Sequence, residues 1–179
     1  MEERYGITPA VLHWLLALLV FILYGLGWYM VTIPKGTPPV AYFYNLHKSI
    51  GIVAALPIAL LIGWRMTHIP PRFPGTLPQW EARAAHINHV LFYVCLVVLV
   101  ASGFIESNFT RFGIKFFGYP LPILGWDDRA IYRFFNRLHV YTSHFFVLLI
   151  AIHVGAALKH LLFNRDQVFQ RMMPVKPQS

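Results

Sequence analysis

Two histidines, His139 and His153, lie fourteen residues apart in one long apolar stretch. Imidazole is costly in lipid unless something binds it, so a histidine inside a membrane span is a functional candidate. Fourteen residues are nearly four helical turns, so both side chains leave the same side of a helix, roughly 21 Å apart along its axis. That distance is most of a hydrocarbon core about 30 Å thick. One helix would therefore offer a nitrogen donor near each membrane face. His13 and His47 sit in two other apolar stretches and are the natural partners. Two neutral imidazoles from different helices at one depth are what bis-imidazole haem ligation needs. Zinc is the weaker choice, because it would want four ligands at a single depth.

The elements that must hold these donors are membrane helices. The chain has 179 residues, 57% of them hydrophobic and 12% charged, with a mean hydropathy of +0.54. These values exclude a disordered chain and argue against an ordinary soluble domain. Apolar runs of spanning length cover about 9–31, 40–66, 83–106 and 130–162, which predicts an all-α integral membrane four-helix bundle forming one domain over 1–179. Pro9 suits a first helical position, and Pro57 predicts a kink within the second span. The stretches IPKGTPP (33–39), IPPRFPGTLP (69–78) and GYPLPILG (118–125) read as loops from their Pro and Gly content. The first run follows Glu2, Glu3 and Arg4 and has no small-x-small cleavage site, so it reads as a retained helix and not a signal peptide. Cys95 is the single cysteine. It can form no intrachain disulfide and no cysteine pair exists to attach haem covalently, so it reads as a small core residue.

Four spans place both termini on one side. That side carries Arg4, Arg65, Arg72, Arg83, Lys159, Arg165, Arg171 and Lys176; the other carries Lys35, Lys48, Arg111, Lys115, Arg129, Arg133 and Arg137. Eight against seven hardly separates the faces by the positive-inside rule. The basic tail assigns the termini to the cytoplasmic side. The net charge of +8 flanks apolar runs and so speaks for anionic lipid, not nucleic acid. With this direction, His13 and His153 share an inner level, and His47 and His139 an outer one. Gly51, Gly155, Ala156 and Ala157 would let a porphyrin approach the backbone, although small residues also serve plain helix packing.

Other residues carry second-order expectations. His86 and His89 compete with His13 at the inner level, but the third span has no outer histidine to match. His144, five residues after His139, turns away and reads as an interhelical hydrogen-bond partner, and His68 falls in a loop. His160 returns to the face of His153 at the inner interface, where a switch of charge would suit quinone protonation; a headgroup-level histidine is the plainer reading. Arg129, Arg133 and Arg137, spaced by four, form either a headgroup-facing stripe or a positive collar that draws a small anion.

The short motifs LHW (12–14), LHKSIG (46–51), HVGAALKH (153–160) and NRDQVFQRMMP (164–174), with the His139/His153 pair, resemble the bacterial di-haem cytochrome b561 family, to which the cytochrome b subunits of nickel–iron hydrogenases are similar. The resemblance runs over nearly the whole chain. It implies two haems b between the first, second and fourth helices, with His13 and His153 on the inner iron and His47 and His139 on the outer one, and no ligand from the third helix. Small stand-alone members imply a superoxide oxidase, taking electrons from superoxide outside and reducing ubiquinone inside; Lys48 would then be a substrate contact beside the three arginines, and His160 a quinone contact. The competing expectation is a cytochrome b subunit relaying electrons between quinone and a partner dehydrogenase or hydrogenase. A non-redox membrane scaffold or haem-handling protein is the third.

Overall fold

In the computed structural model the described residues are 5–69, 71, 77–166 and 168–173. Arg4, Arg72 and Lys176 of the charge comparison, Glu2 and Glu3, most of the 69–78 loop, and Gln167 and Pro174 of the C-terminal motif lie outside them. Among the described residues four helices are long and apolar enough to cross a membrane: α1 (Ile7–Thr32), α2 (Pro38–Thr67), α3 (Gln79–Asn108) and α4 (Arg129–Lys159), the last continued by a π turn, His160–Asn164. The chain is a multi-pass membrane protein whose helices contact lipid.

The helix limits follow from local chemistry. Pro38 and Pro39 open α2 where their missing N–H groups would be unpaired anyway. α3 begins four residues before its apolar run, because Gln79, Trp80, Glu81 and Ala82 after Pro78 are competent helix formers although not all apolar. Asp128 caps α4, its Oδ1 accepting from the amides of Ala130 at 2.8 Å and Ile131 at 3.1 Å. Pro57 lies buried inside α2.

Leu16, Ala54, Ile58, Cys95, Leu96, Phe146 and Leu149, drawn from all four helices, form the core. The outward faces are as apolar as the inward ones; Leu18, Phe21, Leu56, Val97 and Leu148 are all exposed. A helix that is hydrophobic all round belongs in lipid. The backbones approach closely as α1 on α2, α2 on α3 and α3 on α4. α4 faces α1 and α2 mainly through side chains, as where Tyr24 Oη donates to the Ser143 carbonyl at 2.6 Å and its ring stacks on Phe146.

The α1–α2 and α3–α4 connections share one end of the bundle, the hairpin end; the chain termini and the α2–α3 connection share the other, the terminal end. The α3–α4 connection contains a feature absent from the sequence reading, a two-stranded antiparallel ribbon of β1 (Lys115–Phe116) and β2 (Tyr119–Pro120). Its two turn residues, Phe117 at φ 46° and Gly118 at φ 96°, both occupy left-handed backbone, as a tight hairpin turn requires. Phenylalanine is a rare choice there, so the usual Asn-Gly signal was missing.

Candidate functional site: two histidine pairs at separate levels

At the hairpin end His47 of α2 faces His139 of α4, with ring centroids 6.3 Å apart. His139 is held from behind. Its Nδ1 lies 3.0 Å from the Leu99 carbonyl and 3.3 Å from Ser102 Oγ, both on α3. A proton donated from Nδ1 to that carbonyl leaves Nε2 with a free lone pair, the tautomer of a metal-ligating histidine. Gly103 lets α3 pass close: a Cβ there would stand 3.2 Å from the His139 ring. Gly27 does the same for His47, at 3.6 Å.

At the terminal end His13 of α1 faces His153 of α4, with centroids 6.1 Å apart. Phe92 packs edge-on against His153 at 5.3 Å. His89 of α3 also reaches His153, at 5.5 Å. Sequence reasoning set His89 aside for want of an outer partner, yet it belongs to the side chains gathered at this level. Its position three residues after His86 and ten into α3 puts it at the depth of His153, which was the available signal. His86 and His144 are exposed, and His68 stacks on Trp64.

The residues fit a haem iron on two observations. Two metal–nitrogen bonds of about 2 Å plus half of each ring give centroids about 6 Å apart, which both pairs match. The Nδ1 atoms of His13 and His47 are buried with no hydrogen-bond partner; the Leu23 carbonyl approaches His47 without hydrogen-bond geometry at that atom. Leaving such a nitrogen unpaired costs about 1–3 kcal/mol, a cost that suits a functional group. At Gly51 and Gly155, as at Gly25 and Gly63, a Cβ would meet nothing within 4 Å, so neither is singled out by its surroundings; the glycines pressed against imidazoles are Gly27 and Gly103. Among the described residues no three His, Cys, Asp or Glu side chains converge as a bare metal ion would need.

The remaining candidates surround these pairs. Lys48 Nζ donates to the Gly113 carbonyl at 2.9 Å and faces Glu106. Arg133 and Arg137 line a shallow open groove with Ala130, Phe134, Leu138 and Tyr141. At 100° per residue, Arg137 points about 160° away from His139. Arg129 and Arg133 are exposed, and Arg133 Nε donates to the Arg129 carbonyl at 3.2 Å. His160 is buried at the terminal end between Glu81 and Asp166.

Four lipid-facing helices carrying facing imidazoles at two depths define a membrane cytochrome of the b type. The comparisons place it further. A family model described as prokaryotic cytochrome b561 matches residues 4–175. Two relatives from Escherichia coli (strain K12) are similar: cytochrome b561 homolog 2, 32% identical across 96% of this chain and 92% of the relative, and cytochrome b561 homolog 1, 25% identical across 96% and 98%. The chain belongs to the prokaryotic cytochrome b561 family, and its role is transmembrane electron transfer through b-type haem.

Proposed function

We propose that this chain, as one domain over 1–179, holds two haems b and passes electrons from superoxide at the hairpin end to ubiquinone at the terminal end. The observation that carries this reading is the pairing itself, His13 with His153 and His47 with His139, at ring separations of 6.1 Å and 6.3 Å. The haems, when bound, supply one-electron carriers at two depths. The protein's residues do the rest. His13, His153, His47 and His139 ligate iron, and the Leu99 carbonyl with Ser102 fixes the orientation of His139. Phe92, Phe146 and Tyr24 pack the interval between the two levels and exclude water.

Two superoxide ions give up one electron each and leave as dioxygen; one ubiquinone takes both electrons and two protons and becomes ubiquinol. Arg129, Arg133 and Arg137 act at a distance, raising the positive potential over the hairpin end, since Arg137 turns away from the histidine pair. Lys48, anchored on Gly113, adds a fixed charge at the same level. His160 serves the quinone. In this reading the hairpin end faces the periplasm and the termini face the cytoplasm of a bacterial inner membrane.

The deciding experiment is superoxide-driven ubiquinone reduction by the purified holoprotein in liposomes, beside a dithionite-reduced spectrum. Two low-spin haems b per chain and a rate lost in a His47→Ala variant are expected. A normal spectrum with no superoxide-driven rate above that variant would reject superoxide as donor. A partner with iron–sulfur centres that co-purifies and supplies electrons would instead make the chain a cytochrome b subunit.

A further inference from the structure

Outside the histidine pairs, a cluster of titratable side chains lies at the terminal end. His160, only 6% exposed, opens the π turn after α4. Its Nδ1 lies 2.6 Å from Asp166 Oδ2, and its Nε2 lies 3.3 Å from Oε2 of Glu81 on α3. The other oxygen of Glu81 accepts from Lys159 Nζ at 2.7 Å. Asn164 Nδ2 stands 3.1 Å from His160 Nδ1. The backbone builds this arrangement on purpose. Arg165 takes the left-handed conformation, at φ 51°, and turns the chain so that Asp166 comes back onto His160. Asp166 Oδ1 then accepts from the Val168 amide at 3.0 Å.

A histidine that merely packs or pairs needs one partner. Here each ring nitrogen meets its own carboxylate oxygen, which is the connectivity of a proton carrier, because imidazole can accept a proton at one nitrogen and release one from the other. The side chains also grade in access to water. Asp166 is 26% exposed, Glu81 13% and His160 7%. Burial pushes the Asp166 carboxyl up, but the Val168 amide and His160 together outweigh it and hold the group below the usual carboxylate range. Lys159 balances the charge on Glu81 and remains half exposed.

We propose that Asp166, His160 and Glu81 form a proton-input array for quinone reduction at the terminal end, with Asp166 at the water side and Glu81 at the quinone side. The proposal rests on the quinone reading of that end. Each ubiquinone reduced takes two electrons, arriving singly through the chain, and two protons. Each proton reaches the Glu81 carboxylate from His160 Nε2 and passes from it to the quinone; His160 regains one at Nδ1 from Asp166, which takes its own from water. Lys159, its Nζ 2.7 Å from Glu81 Oε1, acts as the counter-charge.

The test uses the dithionite-reduced holoprotein mixed with a short-chain ubiquinone in a stopped-flow instrument, following haem oxidation and the proton uptake reported by a pH dye. No superoxide is involved, so the donor reading is not at stake. Wild-type protein should consume two protons per quinol. Asp166→Asn and His160→Gln should keep the reduced haem spectrum but slow quinol formation about 100-fold, the lower end of what a positioned acid–base group contributes. Imidazole added to the Asp166→Asn protein should restore most of the rate, and Asp166→Glu should retain it. Wild-type rates and pH profiles in both variants would overturn the proposal. So would slow variants that neither imidazole nor the conservative replacement restores, which is the signature of a structural role. If wild-type haem is reduced but ubiquinone never oxidises it, the quinone reading fails and the array falls with it, a result distinct from a defect confined to the variants.

Discussion

The two ends of the bundle handle their histidines differently. At the hairpin end the α4 histidine of the pair is fixed by neutral groups. Leu99 and Ser102 hold His139, and the α3–α4 connection is pinned above by Ser49, Lys48 and Asn108. The carboxylate near this level, Glu106, faces Asn136 and Lys48 and keeps its buried Oε2 without a hydrogen-bond partner. At the terminal end the chain folds its own C-terminal segment onto α1, where Trp14 Nε1 donates to the Met172 carbonyl and the Tyr5 amide to Arg171. There it assembles an imidazole between two carboxylates. Cationic, and with neutral groups behind His139, the first end suits a reaction that moves electrons alone. The second suits one that moves electrons with protons. The direction of electron flow in the proposed function thus has a counterpart in which end sets an imidazole between two carboxylates.

The most severe way to break this comparison is to delete donors level by level. His139→Ala or His47→Ala should reduce haem content from two to one per chain, and the loss should fall on the hairpin-end haem. His13→Ala or His153→Ala should remove the other. His89→Ala should leave both in place, although His89 lies 5.5 Å from His153. Haem quantification with reduced spectra decides each case. Loss of the terminal-end haem in the His89 variant would move a ligand to α3.

A smaller effect tests whether the hairpin end attracts its donor by field or by contact. Replacing Arg129, Arg133 and Arg137 together with Gln should lower the superoxide-driven rate about tenfold at low ionic strength, within the range of electrostatic steering. Near 1 M salt, where the Debye length is about 3 Å, the variant and the wild type should converge. Equal loss at all salt concentrations would mean that an arginine touches the substrate.

Smaller again is the cost of loosening the cap. Ser49 is fully buried; its hydroxyl proton is shared between the carbonyls of Asn45 and Lys115, and its oxygen accepts from the Phe117 amide at 2.9 Å. Ser49→Ala leaves the Phe117 amide and the Lys115 carbonyl without that partner, at about 1–3 kcal/mol. Thermal melting should register the loss, and proteolysis should speed up within 109–128. An unchanged protease pattern would show that the ribbon holds without Ser49.

Much of this architecture was written in local patterns. The four spans appear as apolar runs because a lipid-facing helix needs no polar stripe. The depth sorting of His13, His47, His139 and His153 needed only span order and helical rise. Span order does not reveal which faces meet, and so His89 could not be placed beside His153. Gly27 and Gly103 escaped notice because their role depends on a ring from another helix. Ser102 and Leu99 are invisible for the same reason; a serine in an apolar helix looks like packing until a histidine faces it. Glu81 and Asp166 are 79 and six residues from His160, and only the packing of α3 on α4 together with the π turn brings both to one ring.

The mildest prediction concerns the entrance to α4, the helix that serves both levels. Asp128 accepts from the amides of Ile131 and Ala130, and these bonds hold its carboxyl below the usual aspartate range. A carboxyl lowered in the folded state adds stability that is complete above its unfolded value and is lost as pH falls through the folded one. Asp128→Asn keeps a capping oxygen and removes the titrating charge. The two proteins should therefore differ slightly in melting temperature near neutral pH and converge as the pH drops below the ordinary carboxylate range. The cap lies at the hairpin end, one turn before Tyr132 and about three before His139. Any change in haem spectrum that accompanies this small shift should be confined to the His47–His139 level. A matching change at the terminal-end haem would show that α4 moves as one rigid rod, and the separation of the two ends into independent chemical environments would have to be given up.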